Sequence, residues 1–484
     1  MRAVELRPAR YAMYLAALAL SGCALGPKGI APDMPQPANY GVEATPTSVG
    51  PADAAQKFAL GARPVPKWWE AYRSAQLSAW VEEALAKNYS LSQAEHNLAG
   101  AREQLRAQIG ESMFPTVDAV LQSTRQRALG LPTMGPQTNL YNVFAGELTA
   151  SYTFDLFGVE RYANSALAAQ VDAQSYQLDA ARRALAANLV IAAINGAALR
   201  AQVETTERLV ALADADSAEV QRRLELGSAS RGDLQNAQAN ADALRANLPP
   251  LRTQWQAARH ALAVLMGRTP DAAPPDLTLA ALTLPDSVPV AVPSALLQQR
   301  PDILAADAAL KVAAAQEALA TAEMFPSLSI TASFGQSGFT WPKATGAGGA
   351  VWGIGASLTQ PLFHGGALAA KRRAAQDAYQ ASQDNYRQTV LNAFQNVADS
   401  LSALTHDADT LTAASGARQR SEQFWRDAQQ RATLGAIAPS ATRAGEKQFH
   451  NARLTEIRAV ATRLADTATL FQAMGIPVKD DKSE

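Results

Sequence analysis

The chain has 484 residues with 43 basic and 44 acidic side chains, a formal net charge of −1, so no basic excess points to nucleic acid. Its single cysteine excludes an intramolecular disulfide. Aromatic residues make up 6% and alanine is abundant, a composition suited to long, closely packed helices rather than bulky cores.

The first expected element, residues 1–22, is a signal peptide. Arg2, Arg7 and Arg10 form its basic region, and the apolar run Tyr11 to Leu20 is too short for a bilayer span, which needs about 20 residues. The run ends in Leu20-Ser21-Gly22-Cys23, which resembles the bacterial lipoprotein box. Cys23 is therefore the candidate lipidation site, with diacylglycerol on its thiol and an acyl group on the new amine. Several acyl chains anchor stably, since each buried methylene contributes about 0.8 kcal/mol. Ala24 follows in place of the aspartate that signals inner-membrane retention, so the expected address is the outer membrane.

Residues 23–66, rich in Pro, Gly, Ala and Ser, read as an anchored linker. The body then says nearly the same thing twice. Met113-Phe114-Pro115 and Met266-Gly267 return as Met324-Phe325-Pro326 and Met474-Gly475 about 210 residues later, far too long a period for a solenoid. Two repeats are expected, 67–270 and 294–477, joined by a proline-rich linker at 271–293 and followed by a tail at 478–484.

Each repeat combines short alternating segments with long proline-free ones. In the first, strands are expected near 116–128 and 142–155 and helices near 159–226 and 231–267. In the second, strands fall near 327–338 and 351–362 and helices near 366–434 and 440–474. Val171, Leu178, Leu185, Ala192 and Leu199 hold a heptad register, which jumps by four to Val203, Val210, Ser217 and Leu224, a stutter that lets a long helix run straighter. Val390, Val397, Leu404 and Leu411 hold a heptad register in the second repeat.

The strands alternate apolar with polar: Leu328, Ile330, Ala332 and Phe334 interleave with Ser327, Ser329, Thr331 and Ser333. About ten such residues cross a bilayer at a tilt. Four strands cannot close a barrel, and open edges are not tolerated in lipid. The chain is therefore expected to oligomerise, three copies giving twelve strands.

Gln299-Arg300-Pro301-Asp302-Ile303-Leu304, Trp68-Trp69, Asn88-Tyr89-Ser90-Leu91, Phe154-Asp155-Leu156-Phe157-Gly158, Leu265-Met266-Gly267-Arg268 and Pro361-Leu362-Phe363-His364-Gly365-Gly366 together resemble outer-membrane efflux lipoproteins of the NodT/OprM type, relatives of TolC. The resemblance runs from about Pro66 to Pro477. It implies a mixed, mainly α fold: a trimeric TolC-like α/β barrel, with a 12-stranded outer-membrane β-barrel (four strands per chain) continued by a 12-helix periplasmic coiled-coil tunnel. The implied function is a passive exit duct of a tripartite efflux system. Its implied partners are a periplasmic adaptor and an inner-membrane pump, usually of the resistance-nodulation-division type.

The helical hairpins should reverse at Gly227 and Gly435, forming the periplasmic entrance. The resemblance points to an acidic entrance residue six positions further on. The first repeat supplies Asp233 there; the second has Ala441, with Arg443 and Glu446 nearby. The expected gate is Arg443 paired with Glu446 or Asp233, a charge arrangement that resists or permits opening. Asp233 as a simple helix cap is the competing reading. Phe325, Phe363 and Trp352 are aromatic-belt candidates, while Trp68 and Trp69 read as packing residues.

The five histidines show no ligand spacing, so neither a metal nor a cofactor nor an enzymatic activity is expected. A structural or adhesive coiled-coil envelope lipoprotein without channel activity is the alternative, and the four amphipathic strands argue against it.

Overall fold

The computed structural model describes residues 25–35, 37–42, 46–50, 55–62, 66–129, 138–476 and 478. The expected signal peptide, Cys23 and nearly all of the expected tail lie outside these residues. In chain order the main elements are β1 (Ser48–Val49), β2 (Gln56–Leu60), α1 (Ala75–Lys87), α2 (Tyr89–Met113), β3 (Thr116–Leu129), β4 (Thr138–Phe154), α3 (Val159–Glu225), α4 (Arg231–Ala246) and α5 (Leu248–Leu265). They continue with β5 (Ser287–Val290), α6 (Pro293–Gln299), α7 (Pro301–Ala322), β6 (Ser327–Gly338), α8 (Trp341–Thr345), β7 (Ala350–Thr359), α9 (Ala367–Thr433) and α10 (Pro439–Ala473). α3 and α9 are each 67 residues long, roughly 100 Å at about 1.5 Å per residue.

Where one helix was expected over 231–267 there are two. α4 stops at Ala246 and α5 restarts at Leu248, with Pro249 and Pro250 in its first turn. Proline lacks the N–H that a continuing helix would bond, and it is tolerated in a first turn.

The chain forms two compact units. Among the described residues, one comprises those within 1–32, 98–174 and 306–386, the other those within 33–97, 175–305 and 387–484. The first unit holds an antiparallel sheet in the order β3-β4-β6-β7. Its register puts Leu121 opposite Gly146, Leu148 opposite Phe334 and Phe334 opposite Trp352, so one face is lined with large apolar groups. The other face pairs Thr149 with Ser333, Thr331 with Gly355 and Ser329 with Ser357. Because successive residues point to opposite faces, this segregation follows directly from the alternation in the sequence. β3 and β7 are the sheet's edges, each with one side unpaired.

The helix-to-strand joints of this unit are built locally. Asp155 accepts from the backbone N–H of Glu160 (3.3 Å) and Arg161 (2.9 Å), capping α3 where a carboxylate suits the helix dipole. Phe157 of the first repeat stacks on Phe325 of the second, with ring centroids 4.9 Å apart.

In the second unit the two proline-rich linkers meet. β2 pairs antiparallel with β1 and parallel with β5, making a three-stranded sheet that their composition did not suggest. Trp69 and Tyr72 are wholly buried here, and Trp68 stacks on Phe471 at 5.0 Å. Tyr72 donates to the carbonyl of Leu464 (2.8 Å). Arg300 donates to the carbonyl of Ala473 (2.9 Å) and is held by Asp302, so it satisfies one of the orphan carbonyls at the end of α10.

Candidate functional site

The site is built around the two helical reversals of the second unit. At the end of α3, Ser228 N–H bonds the carbonyl of Arg223 and Gly227 N–H that of Leu224. At the end of α9, Ala436 and Gly435 repeat the pattern on Arg431 and Ala432. Both glycines sit at φ 73°, the left-handed conformation this helix stop demands and that a side chain resists.

Asp233 lies on the α4 side of the first reversal. Its carboxylate accepts from the backbone N–H (2.9 Å) and hydroxyl (2.8 Å) of Ser230, whose own oxygen accepts from Asp233 N–H (3.0 Å). This is a complete capping box. The bonds from Ser230, backbone first, hold the carboxyl below its ordinary value. Asp233 is thus engaged as a cap within the chain. α10 begins differently, at Pro439, with no side-chain cap.

Arg443 pairs with neither Glu446 nor Asp233. Its Nε lies 2.5 Å from Asp216 Oδ1 and it also binds Glu219, both on α3, while Lys447 Nζ takes the other Asp216 oxygen at 2.5 Å. The expected pairing is corrected by helix register: residues 443 and 447 share a face of α10, and that face meets two carboxylates of α3. Burial opposes ionisation of Asp216, but Lys447 and Arg443 outweigh it and keep its carboxyl below the ordinary value.

Glu446 has a separate partner. It is buried and accepts from Arg208 of α3 through Nε (2.8 Å) and Nη2 (2.5 Å), with His450 Nε2 at 3.6 Å. Burial lowers the His450 pKa despite Glu446. Arg458 Nε donates to Gln202 Oε1 (3.1 Å), completing a polar ladder between α3 and α10. On its other side α10 meets α9 through the stacked rings of Phe449 and Trp425 (5.2 Å) and through Arg418–Glu456 (2.9 Å).

Sequence reasoning reached Gly227, Asp233, Gly435, Arg443 and Glu446 but not Asp216, Glu219, Arg208, Lys447 or His450. The available signal was a charge stripe: 443, 446, 447 and 450 recur at helical spacing on α10, and 208, 216 and 219 do so on α3. The arrangement holds no nucleophile with an adjacent base. It is a set of paired charges that can lock or release one helix against another.

A family model described as outer membrane efflux protein matches residues 80–268 and 292–476. Outer membrane protein OprJ of Pseudomonas aeruginosa is 30% identical over 402 residues, spanning 82% of this chain and 80% of its own length. Nodulation protein T of Rhizobium leguminosarum bv. viciae is 25% identical over 410 residues, spanning 83% and 80%. Among solved structures, the open state of the Neisseria gonorrhoeae MtrE outer membrane channel is 26% identical with a TM-score of 0.75, covering 94% of this chain and all of its own. The Campylobacter jejuni CmeC outer membrane channel, at 20% identity, shares the fold with a TM-score of 0.82 over 95% of this chain and 97% of its own.

The chain belongs to the outer membrane efflux protein family. It is an outer-membrane channel component of an efflux system in a Gram-negative bacterium, with a large helical periplasmic part.

Proposed function

We propose that three copies assemble into one passive exit duct, a twelve-stranded barrel continued by a twelve-helix tunnel. The observation that carries this reading is the β3-β4-β6-β7 sheet, apolar on one face, Ser/Thr/Gly-rich on the other and unpaired at both edges. In lipid each unpaired backbone group costs several kcal/mol, and pairing β7 of one copy with β3 of the next removes both edges. The duct conducts small molecules without catalysis and without a bound cofactor. A periplasmic adaptor couples it to an inner-membrane pump of the resistance-nodulation-division type, and acylated Cys23 tethers the chain to the outer membrane.

The entrance is latched by the α3–α10 ladder, with Arg443 on Asp216 and Glu219 as its end nearest the reversals. Opening separates α10 from α3 and requires these charges to find water or the adaptor. Purified protein tests the assembly: a trimer that dissociates only on heating and passes current in a planar bilayer supports it. A monomer without current refutes it.

A further inference from the structure

The charges of the strand sheet are segregated by face. Asp118 and Glu147 lie on the Ser/Thr/Gly-rich face, whereas Arg125 and Arg127 lie on the apolar face, in register with Asn142 and Leu140. The two arginines sit at the loop end of β3, away from the ends that lead into the long helices. None of the carboxylates of the described strands shares their face.

Beside them the chain folds back on the same face. After β6 the short helix α8 lies against the sheet, and Trp341 meets Phe144 edge to face at 5.9 Å. Glycine permits the approach: a Cβ at Gly338 would stand 2.5 Å from the backbone nitrogen of Ala344. Between α8 and the sheet runs a groove of about 500 Å³, lined chiefly by Leu121, Phe144, Gly146, Gln336, Trp341 and Ala344. That volume is within the range of about 300–1,000 Å³ typical of small-ligand sites. Gly146 leaves a notch in its floor, where a Cβ would meet Leu121 Cδ2 at 3.0 Å. One polar atom is left over: Gln336 Oε1 is buried and receives no hydrogen bond from a described residue.

We propose that this groove seats one acyl chain of a phosphorylated, hydroxyacylated lipid of the outer leaflet, with its phosphate on Arg125 and Arg127. The inference rests on the duct reading for the orientation of the strands. An apolar slot accepts the chain, and a chain hydroxyl supplies the donor that Gln336 lacks. Arg125 lies two residues beyond Ser123, which borders the groove, on the same face. Guanidinium groups at the end of an apolar face can carry their charge to the headgroup level and bind phosphate there with a paired geometry that ammonium lacks. The groove thereby gives the duct a fixed lipid at its outer rim.

The test is native mass spectrometry of the purified oligomer mixed with bisphosphorylated hexa-acyl lipid A, alongside phosphatidylethanolamine and inorganic phosphate, with current recorded on the same preparations. Two variants are compared, Arg125→Ser with Arg127→Ser, and Trp341→Ala, which opens the groove without touching the charges. The inference expects each to retain lipid A at least tenfold less than the unmodified protein while current stays intact, which separates the lipid seat from the duct itself. Equal retention of phosphatidylethanolamine, displacement of lipid A by inorganic phosphate alone, or unchanged retention in the arginine variant overturns it.

Discussion

Arg443 Nε donates to Asp216 Oδ1 across 2.5 Å, and both side chains are largely shielded, 19% and 23% exposed. The pair is therefore screened less than a surface ion pair, and Lys447 and Glu219 extend it into a four-membered cluster. A charge-assisted hydrogen bond of this kind contributes about 1.5–3 kcal/mol. An interaction of that size would serve the proposed latch, holding a helix pair closed and yet yielding to a partner that offers equivalent contacts.

Asp233 gives a contrasting expectation. Its carboxylate closes a capping box at an exposed reversal, so Asp233→Ala should lower stability slightly. Conductance and ion selectivity should hardly move. Thermal unfolding and bilayer current on the same preparation check both halves, and a large selectivity change would give Asp233 a role in the entrance itself.

Asp407 should make stability depend on pH. Burial first, and then the neighbouring Asp466 carboxylate, push its pKa from 3.8 up to about 7, with Arg463 as the opposing charge. A folded-state pKa above the unfolded one means that the protonated acid's contribution is complete at low pH and is lost as pH rises through about 7. The wild type should therefore lose ground to Asp407→Asn progressively from about pH 4 to about pH 7 and keep that deficit at higher pH. Equal melting shifts for the two proteins across that window would contradict the assignment.

Asp118 and Glu147 should set the ion preference of the barrel. In the sheet Asp118 faces Thr149 and Val120 faces Glu147, so the two carboxylates are diagonal neighbours on the face that lines the proposed lumen. In the proposed trimer, six such charges would surround the duct. Neutralising both, Asp118→Asn with Glu147→Gln, should shift the reversal potential in a salt gradient toward anions, because rings of acid select cations.

Trp69 should be the costliest single truncation in the second unit. It is wholly buried against Trp68, whose ring in turn meets Tyr72 and Phe471. Trp69→Ala should cost about 3–5 kcal/mol. Trp69→Phe should cost less, since Trp69 Nε1 is buried without an acceptor among the described residues and its removal strands no partner. Chemical unfolding of the purified oligomer ranks the two.

What the sequence made legible was whatever a local rule decides. Alternation of Leu328, Ile330, Ala332 and Phe334 with serine and threonine marks β6, and a glycine closing a proline-free heptad run marks each reversal. The sheet of β1, β2 and β5 was not legible, because β1 has two residues, β5 contains Pro289, and their pairing joins segments more than 200 residues apart. The ladder was only half legible. Arg443 and Glu446 stand one turn apart on α10, which suggests a local pair, but their partners come from α3, 227 residues from Arg443 and 238 from Glu446. His450 likewise resembles a solvated helix residue until the rings of Phe449 and Trp425 close over it.

The latched duct is tested most directly by single-channel current from the purified protein in a planar bilayer, comparing the wild type with Arg443→Ala and with Asp216→Asn. Small, brief openings are expected for the wild type and larger, longer ones for both variants, because either change breaks the same α3–α10 contact. Variants indistinguishable from the wild type would contradict the latch, and absence of current from all three would contradict the duct.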